Sequence, residues 1–319
     1  MNPNKQSKRV LICGSIAFDT IMVFEGRFKD QILPDQVHIL NVAFLVPSLR
    51  KDWGGCAGNI AYSLNMLGGK PVPMATIGHD AGGYFQRLQT LGIETNCLKQ
   101  INDEFTAQAF ITTDLDDNQI TAFHPGAMNV SHENSVSDAT GVKLGIIAPD
   151  GRDGMISHAR QFADAGIPFV FDPGQGLPMF GGEDLLNFLD LARWCTVNDY
   201  EARLLCERTG LTEAQIAERV EALIVTRGAE GSRVYAGGSV TEVACVPADA
   251  LADPTGCGDA YRGGLLYGLS RGADIIASAR LASVMGSIKI ASRGGQNHLP
   301  TREDIAARHR AAFGTALAF

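Results

Sequence analysis

Short apolar segments alternate with longer amphipathic segments along most of this chain, and that alternation constrains its fold more than any other feature. The strand-like segments span residues 10–13, 72–77, 144–148, 168–171, 195–197 and 224–226. The helix-like segments span residues 57–67, 84–91, 155–165, 201–209 and 212–223, with two long ones after Gly256 and Asp274. Because strands that alternate with helices form βαβ units, the sequence predicts an α/β fold with a mostly parallel sheet covered on both faces.

Two regions break this alternation, because they carry strand-like patterns without intervening helices. Residues 36–46, and residues 107–123 with a turn at Asp116-Asp117-Asn118, are predicted to be strands joined by hairpins. Residues 15–19 are predicted to form a loop after the first strand. We expect a small β lid drawn from about residues 18–50 and 102–127, inserted into one domain that spans residues 1–319.

Composition narrows the class of protein. The formal net charge of −8 argues against a nucleic-acid partner, since phosphate backbones attract clustered Lys and Arg. No apolar stretch approaches the roughly 18 residues needed to span a bilayer, and the amino terminus is too polar for a signal peptide, so a cytoplasmic location without membrane contact is predicted. Seven cysteines without a Cys-x-x-Cys pair indicate reduced thiols, and Cys13, Cys195 and Cys245 lie in apolar runs that predict core positions.

The segment Asp253-Pro254-Thr255-Gly256-Cys257-Gly258-Asp259 joins a carboxylate to a glycine-rich turn just before a predicted helix. Free N–H groups collect at a helix amino end, and glycines let an anion approach the backbone closely. A neighbouring carboxylate can accept the proton of a substrate hydroxyl as a phosphoryl group moves. The segment therefore indicates phosphoryl transfer, although an isolated Gly-x-Gly-Asp more often marks a turn with a capping aspartate.

A second glycine-rich element, Trp53-Gly54-Gly55-Cys56-Ala57-Gly58-Asn59, precedes its own predicted helix. Glycine there permits a pocket lined by backbone. Asn59 offers both a donor and an acceptor to a vicinal diol, and Asp19 can accept hydrogen bonds from the same hydroxyls. Each of these residues, taken alone, is equally typical of a helix start or a loop.

Together, Gly54-Gly55-x-x-x-Asn59 and Asp253-x-Thr255-Gly256-x-Gly258-Asp259 closely resemble the two signatures of the ribokinase-like sugar and nucleoside kinases, the PfkB family. The resemblance covers nearly the whole chain and implies a three-layer α/β/α sandwich with a small β lid. It implies that Asp259 is the general base and that the N–H groups of Gly256, Cys257 and Gly258 form an anion hole. The family usually has alanine where Cys257 stands, an exchange that a backbone donor tolerates.

Shorter matches imply where ATP and Mg²⁺ bind. Asn198-x-x-Glu201 resembles the family's element that positions Mg²⁺ and the phosphates through water, and a hard cation prefers such oxygen ligands. The alternative for this element is a helix cap. The segment from Thr226 to Gly231, which includes Gly228, resembles the family's loop that holds the phosphates and ribose of ATP.

The carboxyl-terminal loop carries weaker signals of the same kind. Gly294-Gly295-Gln296-Asn297-His298 falls where the family approaches the adenine of ATP, which makes Asn297 a candidate contact. In many members a monovalent cation such as K⁺ is bound partly by groups like Asp253 and Thr255. Arg262, one turn into the helix after the second signature, is either a further charge facing the phosphate or an ordinary surface arginine.

The amino-acid sequence of the predicted lid indicates which kind of molecule accepts the phosphoryl group. Its sequences around residues 107–110 and 123–127 look most like those of adenosine and purine nucleoside kinases. A purine base needs an aromatic or apolar slot, and Gln108 is positioned in sequence to reach the ribose or the base edge. Candidates for the slot, which are equally typical of lid core, are Phe105, Phe110, Phe123 and Met128.

The leading hypothesis is therefore an ATP- and Mg²⁺-dependent kinase that acts on the 5′-hydroxyl of a ribonucleoside, with adenosine or inosine as substrate. Such an enzyme binds a nucleoside and ATP and is expected to be a monomer or a homodimer. A sugar kinase of the same family is the first alternative, and a non-catalytic nucleoside-binding sensor is the second. A nucleotide-dependent oxidoreductase has no sequence basis, because no Gly-x-Gly-x-x-Gly follows a strand.

Overall fold

The structure is a computed structural model, and it describes residues 9–32, 39, 41–116 and 118–317. Within them a nine-stranded sheet has the order β13-β12-β11-β10-β9-β8-β1-β4-β5. These strands are β1 (Arg9–Cys13), β4 (Lys70–Gly78), β5 (Leu98–Ile101), β8 (Val142–Ile147), β9 (Phe169–Phe171), β10 (Trp194–Asn198), β11 (Ala222–Thr226), β12 (Ser232–Ala236) and β13 (Ser239–Val243). β12 runs antiparallel to both of its neighbours, and the strands from β11 to β5 pair in parallel.

Helices cover both faces of this sheet. They are α2 (Cys56–Met66), α3 (Gly82–Thr90), α4 (Arg152–Asp164), α5 (Gly182–Leu191), α6 (Asp199–Thr209), α7 (Glu213–Ala217), α8 (Cys257–Ser270), α9 (Ile275–Ile290) and α10 (Arg302–Phe313). The short helix α1 (Phe28–Gln31) contributes no residue to either core that the described residues form on this sheet. Side chains alternate across a strand, so Val10 and Ile12 join the core under α2, α3, α8, α9 and α10. Leu11 and Cys13 join the opposite core under α4 to α7. The predicted three-layer α/β/α sandwich is confirmed.

A separate four-stranded sheet, which we call the lid sheet, has the order β3-β2-β6-β7. Its strands are β2 (Ala17–Val23), β3 (Ser48–Gly54), β6 (Ala107–Thr113) and β7 (Gln119–His124). β2 pairs in parallel with β6, whereas the other two pairings are antiparallel. The carboxylate of Asp114 accepts the N–H groups of Asp116 and Asn118 at 2.9 Å each, which closes the predicted turn between β6 and β7. Asp117 lies outside the described residues.

Three predicted boundaries are wrong. Residues 41–46 contain no strand and β3 begins only at Ser48, while residues 36–38 and 40 lie outside the described part of the chain. The predicted loop over 15–19 ends early because β2 begins at Ala17. The predicted helix over 212–223 ends at Ala217, since residues 222–226 pair in parallel with β10 and that sheet pairing overrides helical periodicity.

Several elements, such as α1 and β5, and the exposure of one side chain were also not predicted. Sequence patterns did not predict α5 or the β12–β13 hairpin, whose turn at Gly237 and Gly238 adopts positive φ at both positions. Cys245, which its apolar neighbours placed in the core, is exposed. Within the described residues no helix combines the length and the apolar character that crossing a membrane requires.

Candidate active site

Two helices begin at the same place in the fold, and both begin after a glycine with positive φ. Gly55 precedes α2 with φ 82°, and Gly256 precedes α8 with φ 75°. A side chain at Gly55 would come within 2.5 Å of the backbone atoms Ala17 N and Ser15 O. Glycine is therefore required there by close approach as well as by conformation. The two glycine-rich elements of the sequence are thus brought together.

A hydrogen bond joins the two elements directly. Asn59, in the first turn of α2, donates from Nδ2 to Oδ2 of Asp259 in the first turn of α8 at 2.9 Å. Gln296 donates from Nε2 to Oδ1 of Asn59 at 3.1 Å, and the same Nε2 bonds the hydroxyl of Tyr84. The Tyr84 hydroxyl in turn donates to Gly54 O at 2.7 Å. Because Oδ1 of Asn59 already has a donor, its NH₂ group is aimed at the carboxylate.

Asp259 is half-buried, and its environment favours a proton acceptor near neutral pH. Burial raises the pKa of Asp259 to about 6, the Asn59 hydrogen bond lowers it, and the charge of Asp172 raises it. Arg262 lowers it again. A carboxylate with such a pKa is ionised at pH 7 and still basic enough to take a hydroxyl proton.

The amino end of α8 offers some of its N–H groups to a ligand, but not all. Cys257 N–H already donates to Pro254 O at 3.1 Å. The N–H groups of Gly256 and Gly258 make no hydrogen bond to another described residue. Of the three predicted anion-hole donors, the N–H groups of Gly256 and Gly258 are therefore available to a ligand, whereas that of Cys257 is hydrogen-bonded within the turn.

The sequence left two alternatives for Arg262, a charge that faces the phosphate or a surface residue, and the structure shows neither. Its side chain is 6% exposed and forms a bidentate ion pair with Asp172, with Nε to Oδ2 at 3.0 Å and NH2 to Oδ1 at 2.9 Å. NH1 donates to Gly258 O at 3.4 Å. The pair lies directly beneath the glycine turn, so the arginine supports the loop from inside. Asp172 directly follows β9 and carries no sequence motif that marks it as part of the site.

The register of the lid sheet decides which lid residues face the site. Asp19 on β2 lies opposite Asp52 on β3 and Ala109 on β6, and Ala109 lies opposite Phe123 on β7. Residues directly opposite one another share a face, so Asp19, Asp52, Ala109 and Phe123 define what we call the inner face. Phe123 is 52% exposed, which leaves its ring free to contact a ligand.

Gln108 does not share that face. It lies opposite Phe18 on β2 and donates to Thr20 Oγ1 at 2.5 Å. We call this the outer face, and Phe110 also lies on it. The structure therefore does not bring Gln108 together with Asp19, because successive residues of a strand point in opposite directions.

Asp19 belongs to a charge cluster that includes Asp52 on β3 and Asp253 before α8. Burial raises the pKa of Asp19 to about 6, helped by the charges of Asp52 and Asp253. A side chain at Gly54 would lie 2.4 Å from Oδ2 of Asp19, so the glycine leaves room for that carboxylate. Arg50, on β3, lies 3.0 Å from Asp52 through Nε and 3.8 Å from Asp253 Oδ2 through NH2.

Asp253 organises the backbone that leads into α8. Its Oδ1 accepts Thr255 N–H and its Oδ2 accepts Gly294 N–H, each at 2.8 Å. Burial raises the pKa of Asp253, but these hydrogen bonds outweigh burial and leave the pKa below its ordinary value. Its carbonyl oxygen accepts from Lys289 Nζ at 2.7 Å. No sequence motif marks Lys289, and only its place in the last turn of α9 signals it.

Asn198 and Glu201 form a reciprocal helix cap at the start of α6. A helix cap was the alternative to a nucleotide-binding element in the sequence analysis. Glu201 N–H donates to Asn198 Oδ1 at 2.7 Å, and Asn198 N–H donates to Glu201 Oε2 at 2.8 Å. Burial raises the pKa of Glu201, with a further rise from Asp172. Thr226 lies directly opposite Asn198 at the carboxyl ends of β11 and β10, so these two candidates lie together.

The other two nucleotide-binding candidates are loop residues. Gly228 and Gly231 have φ 54° and 83°, and Arg227 N–H donates to Gly231 O at 2.7 Å across the turn. A side chain at Gly231 would meet Val243 O at 2.1 Å. Asn297 is exposed, and its Nδ2 donates to Arg293 O at 2.9 Å within its own loop.

These features define a class of protein. Aspartate and glycine-rich helix starts lie beyond the carboxyl ends of parallel strands, where open α/β sheets bind ligands, and a small sheet carries a second aspartate facing them. A sequence profile described as the pfkB family of carbohydrate kinases matches residues 19–302. The chain belongs to this family and is an ATP-dependent kinase.

Individual relatives carry more specific names. The chain is 31% identical over 270 residues to a nucleoside kinase of Methanocaldococcus jannaschii, covering 84% of this chain and 89% of that protein. It is also similar to the nucleoside kinase of Burkholderia thailandensis in complex with inosine, with 52% identity, a TM-score of 0.88, and coverage of 96% and 99% of the two chains. The ADP-inosine complex of that enzyme gives 53% identity, a TM-score of 0.85, and coverage of 96% and 97%.

Proposed function

We propose that this kinase transfers the γ-phosphoryl group of ATP to the 5′-hydroxyl of a ribonucleoside, with purine nucleosides such as adenosine and inosine as acceptors. The observation that carries the proposal is the position of the Asp259 carboxylate. It accepts a hydrogen bond from Asn59 of the amino-terminal element at 2.9 Å while it lies at the start of α8. The likeness to an enzyme solved with inosine and with ADP-inosine supports the nucleoside as acceptor.

The chemical step uses the two helix starts together. Asp259 accepts the proton of the 5′-hydroxyl as its oxygen forms a bond to the γ-phosphorus, and the bond from that phosphorus to the bridging oxygen of ADP breaks. The N–H groups of Gly256 and Gly258 stabilise the negative charge on the transferring group. Cys257 N–H joins them if it exchanges Pro254 O for a phosphate oxygen, which requires a small movement of the turn when nucleotide binds.

The acceptor site lies between α2 and the inner face of the lid sheet. Asp19 accepts hydrogen bonds from the ribose hydroxyls, and Asn59 contributes its amide beside Gly54 and Gly55. The exposed ring of Phe123, on the same face as Asp19, stacks on the base. Gln108 does not contact the acceptor in this arrangement, because the strand register places it on the outer face.

ATP is proposed to bind along the carboxyl edge of β10 and β11 and over the carboxyl-terminal loop. The residues assigned to it are Asn198, Thr226, Gly228, Gly231 and Asn297. Mg²⁺ suits Glu201, whose half-buried carboxylate interacts electrostatically with that of Asp172, because a hard cation prefers oxygen ligands. A Mg²⁺ ion held there would neutralise part of the negative charge on the phosphates.

The remaining assignments are proposals of the same kind. We assign residues 1–319 to one catalytic domain, active in the cytoplasm as a monomer or homodimer. The seven cysteines are all unpaired in the structure, which agrees with a reducing compartment. Light scattering of the purified protein measures the subunit number.

A single-turnover assay with labelled ATP and a panel of nucleosides and sugars tests the acceptor. Transfer to adenosine or inosine, with little transfer to ribose or fructose, is the expected result. Efficient transfer to free ribose without transfer to either nucleoside would replace the proposal by the sugar-kinase alternative. Nucleoside binding without any transfer would favour the sensor.

A further inference from the structure

Lys289 is a fully buried lysine, with 0% of its surface exposed, in the last turn of α9. A buried ammonium group is costly unless polar partners surround it. Its Nζ donates to two main-chain carbonyl oxygens, Asp253 O at 2.7 Å and Ser292 O at 3.1 Å. Burial lowers the pKa of Lys289, and the neighbouring Cys257, Asp253 and Asp259 oppose that shift.

Main-chain carbonyl oxygens, such as the two that accept from Lys289, are also ligands of monovalent metal ions. These two come from two converging segments, one before α8 and one after α9, with a carboxylate nearby. The carboxylate of Asp253 is turned to the N–H groups of Thr255 and Gly294 and is not hydrogen-bonded to the ammonium. The lysine is therefore coordinated by main-chain oxygens, as an ion would be.

The resemblance to the kinase family implied a K⁺ site at Asp253 and Thr255, and the residues present do not fit one. Asp253 O already accepts from a cationic group at 2.7 Å. A metal ion beside that oxygen would share it with the ammonium and would be repelled by the like charge.

We propose that the Lys289 ammonium is a built-in replacement for the monovalent cation, and that the enzyme needs no K⁺. It bridges the segment leading into the anion hole to the loop that carries Gly294 and Gln296. Asp253 fixes Thr255 N–H on one side, and Gln296 orients Asn59 on the other. Lys289 is a positioning residue in this arrangement, since it acts on the reacting groups only through these loops.

The first test needs no variant. Kinase activity and the thermal midpoint of ligand-free protein are measured in KCl, NaCl and tetramethylammonium chloride at equal ionic strength. Both are expected to be the same in the three salts, within about twofold for the rate. Activation of the wild type by K⁺ of tenfold or more, together with a K⁺-specific rise in its midpoint, would overturn the proposal.

Two substitutions complete the test. Lys289→Ala leaves the carbonyl oxygens and opens space for an ion, so it is expected to lose about tenfold or more in kcat without K⁺ and to regain most of it with K⁺. Lys289→Met keeps the space filled without charge, so its loss is expected in every salt. Lys99→Ala, at an exposed lysine paired with Glu133, is the control and is expected to behave as the wild type. A Lys289→Met enzyme with wild-type kcat would also overturn the proposal.

The inference rests on the proposed kinase reaction, but its failure is distinguishable from failure of that reaction. The salt dependence of the thermal midpoint is measured without substrate, for the wild type and for Lys289→Ala. A K⁺-specific rise in the midpoint of the alanine variant alone supports the built-in cation, whatever acceptor the enzyme uses. A protein that phosphorylates no nucleoside contradicts only the acceptor assignment.

Discussion

The body and the lid contribute to the candidate site in different ways. In the body, Asn59, Asp259 and Gln296 form a hydrogen-bonded chain, and Arg262 and Asp172 form an ion pair with side chains 6% and 4% exposed. The lid sheet instead presents open side chains, of which Phe123 is 52% exposed. Reacting groups that are already held in place lose little entropy at the transition state, whereas an open surface adapts to an acceptor. This contrast supports the proposal that the body serves the chemistry and the lid serves acceptor binding.

The largest expected effect lies in the body. Asp259→Asn removes the proposed proton acceptor and keeps the shape of the side chain, so kcat is expected to fall by about 10³-fold or more, while the nucleoside Kd changes little. Rapid-quench kinetics and calorimetric titration with nucleoside measure the two quantities. Asp164→Asn, at an exposed position on α4, is the matched control. A variant that keeps near-normal turnover would show that the proton goes elsewhere.

The second prediction concerns stability rather than chemistry. Asp172→Ala leaves the Arg262 guanidinium buried without its carboxylate, and the free energy of unfolding is expected to fall by about 3–5 kcal/mol. Urea denaturation of the apoenzyme measures it. Asp190→Ala, in an ion pair with Arg219 whose aspartate is 53% exposed, is the control and is expected to cost about 1 kcal/mol or less. Equal losses in the two variants would contradict the support assigned to the buried pair.

The same contrast explains what could be predicted from the sequence. Local signals predicted the glycine-rich helix starts, and the alternation of segments predicted the parallel sheet, because helix starts and buried strands have short-range patterns. The bond between Asn59 and Asp259 joins residues 200 positions apart, and only the family resemblance suggested that the two elements meet.

Three misses have a common cause, because each side chain is placed by a partner distant in sequence. The register of β6 against β2 places Gln108 on the face opposite Asp19, which no pattern within β6 reveals. Arg262 is held in a buried ion pair by Asp172, the residue that follows β9, although an isolated arginine on α8 looks like a surface residue. Lys289 carries no motif, and its role depends on carbonyl oxygens of residues 253 and 292.

The assignment of residues to the two faces of the lid sheet predicts a smaller effect, on KM rather than on kcat. Phe123→Ala is expected to raise the nucleoside KM by about tenfold with little change in kcat, since the proposed stacking stabilises the ground and transition states alike. Phe110→Ala is the matched control, because this ring is 41% exposed on the same sheet but lies on the outer face. Steady-state kinetics with inosine give both values. An effect of Phe110→Ala larger than that of Phe123→Ala would reverse the assignment of faces.

The smallest expected effect is a shift in the pH profile that separates the two aspartates. The pKa of Asp259 and the pKa of Asp19 are both raised to about 6, so both carboxylates become protonated as pH falls through that value. Asp259 must be ionised to accept a proton, so kcat is expected to fall on the acid side of about pH 6. In Asp19→Asn the acid limb of kcat should remain, because the base in the body is unchanged, while KM for the nucleoside rises and loses its own acid dependence. If the acid limb of kcat disappears in Asp19→Asn, the lid aspartate is the titrating group, and the division between a body for chemistry and a lid for binding is wrong.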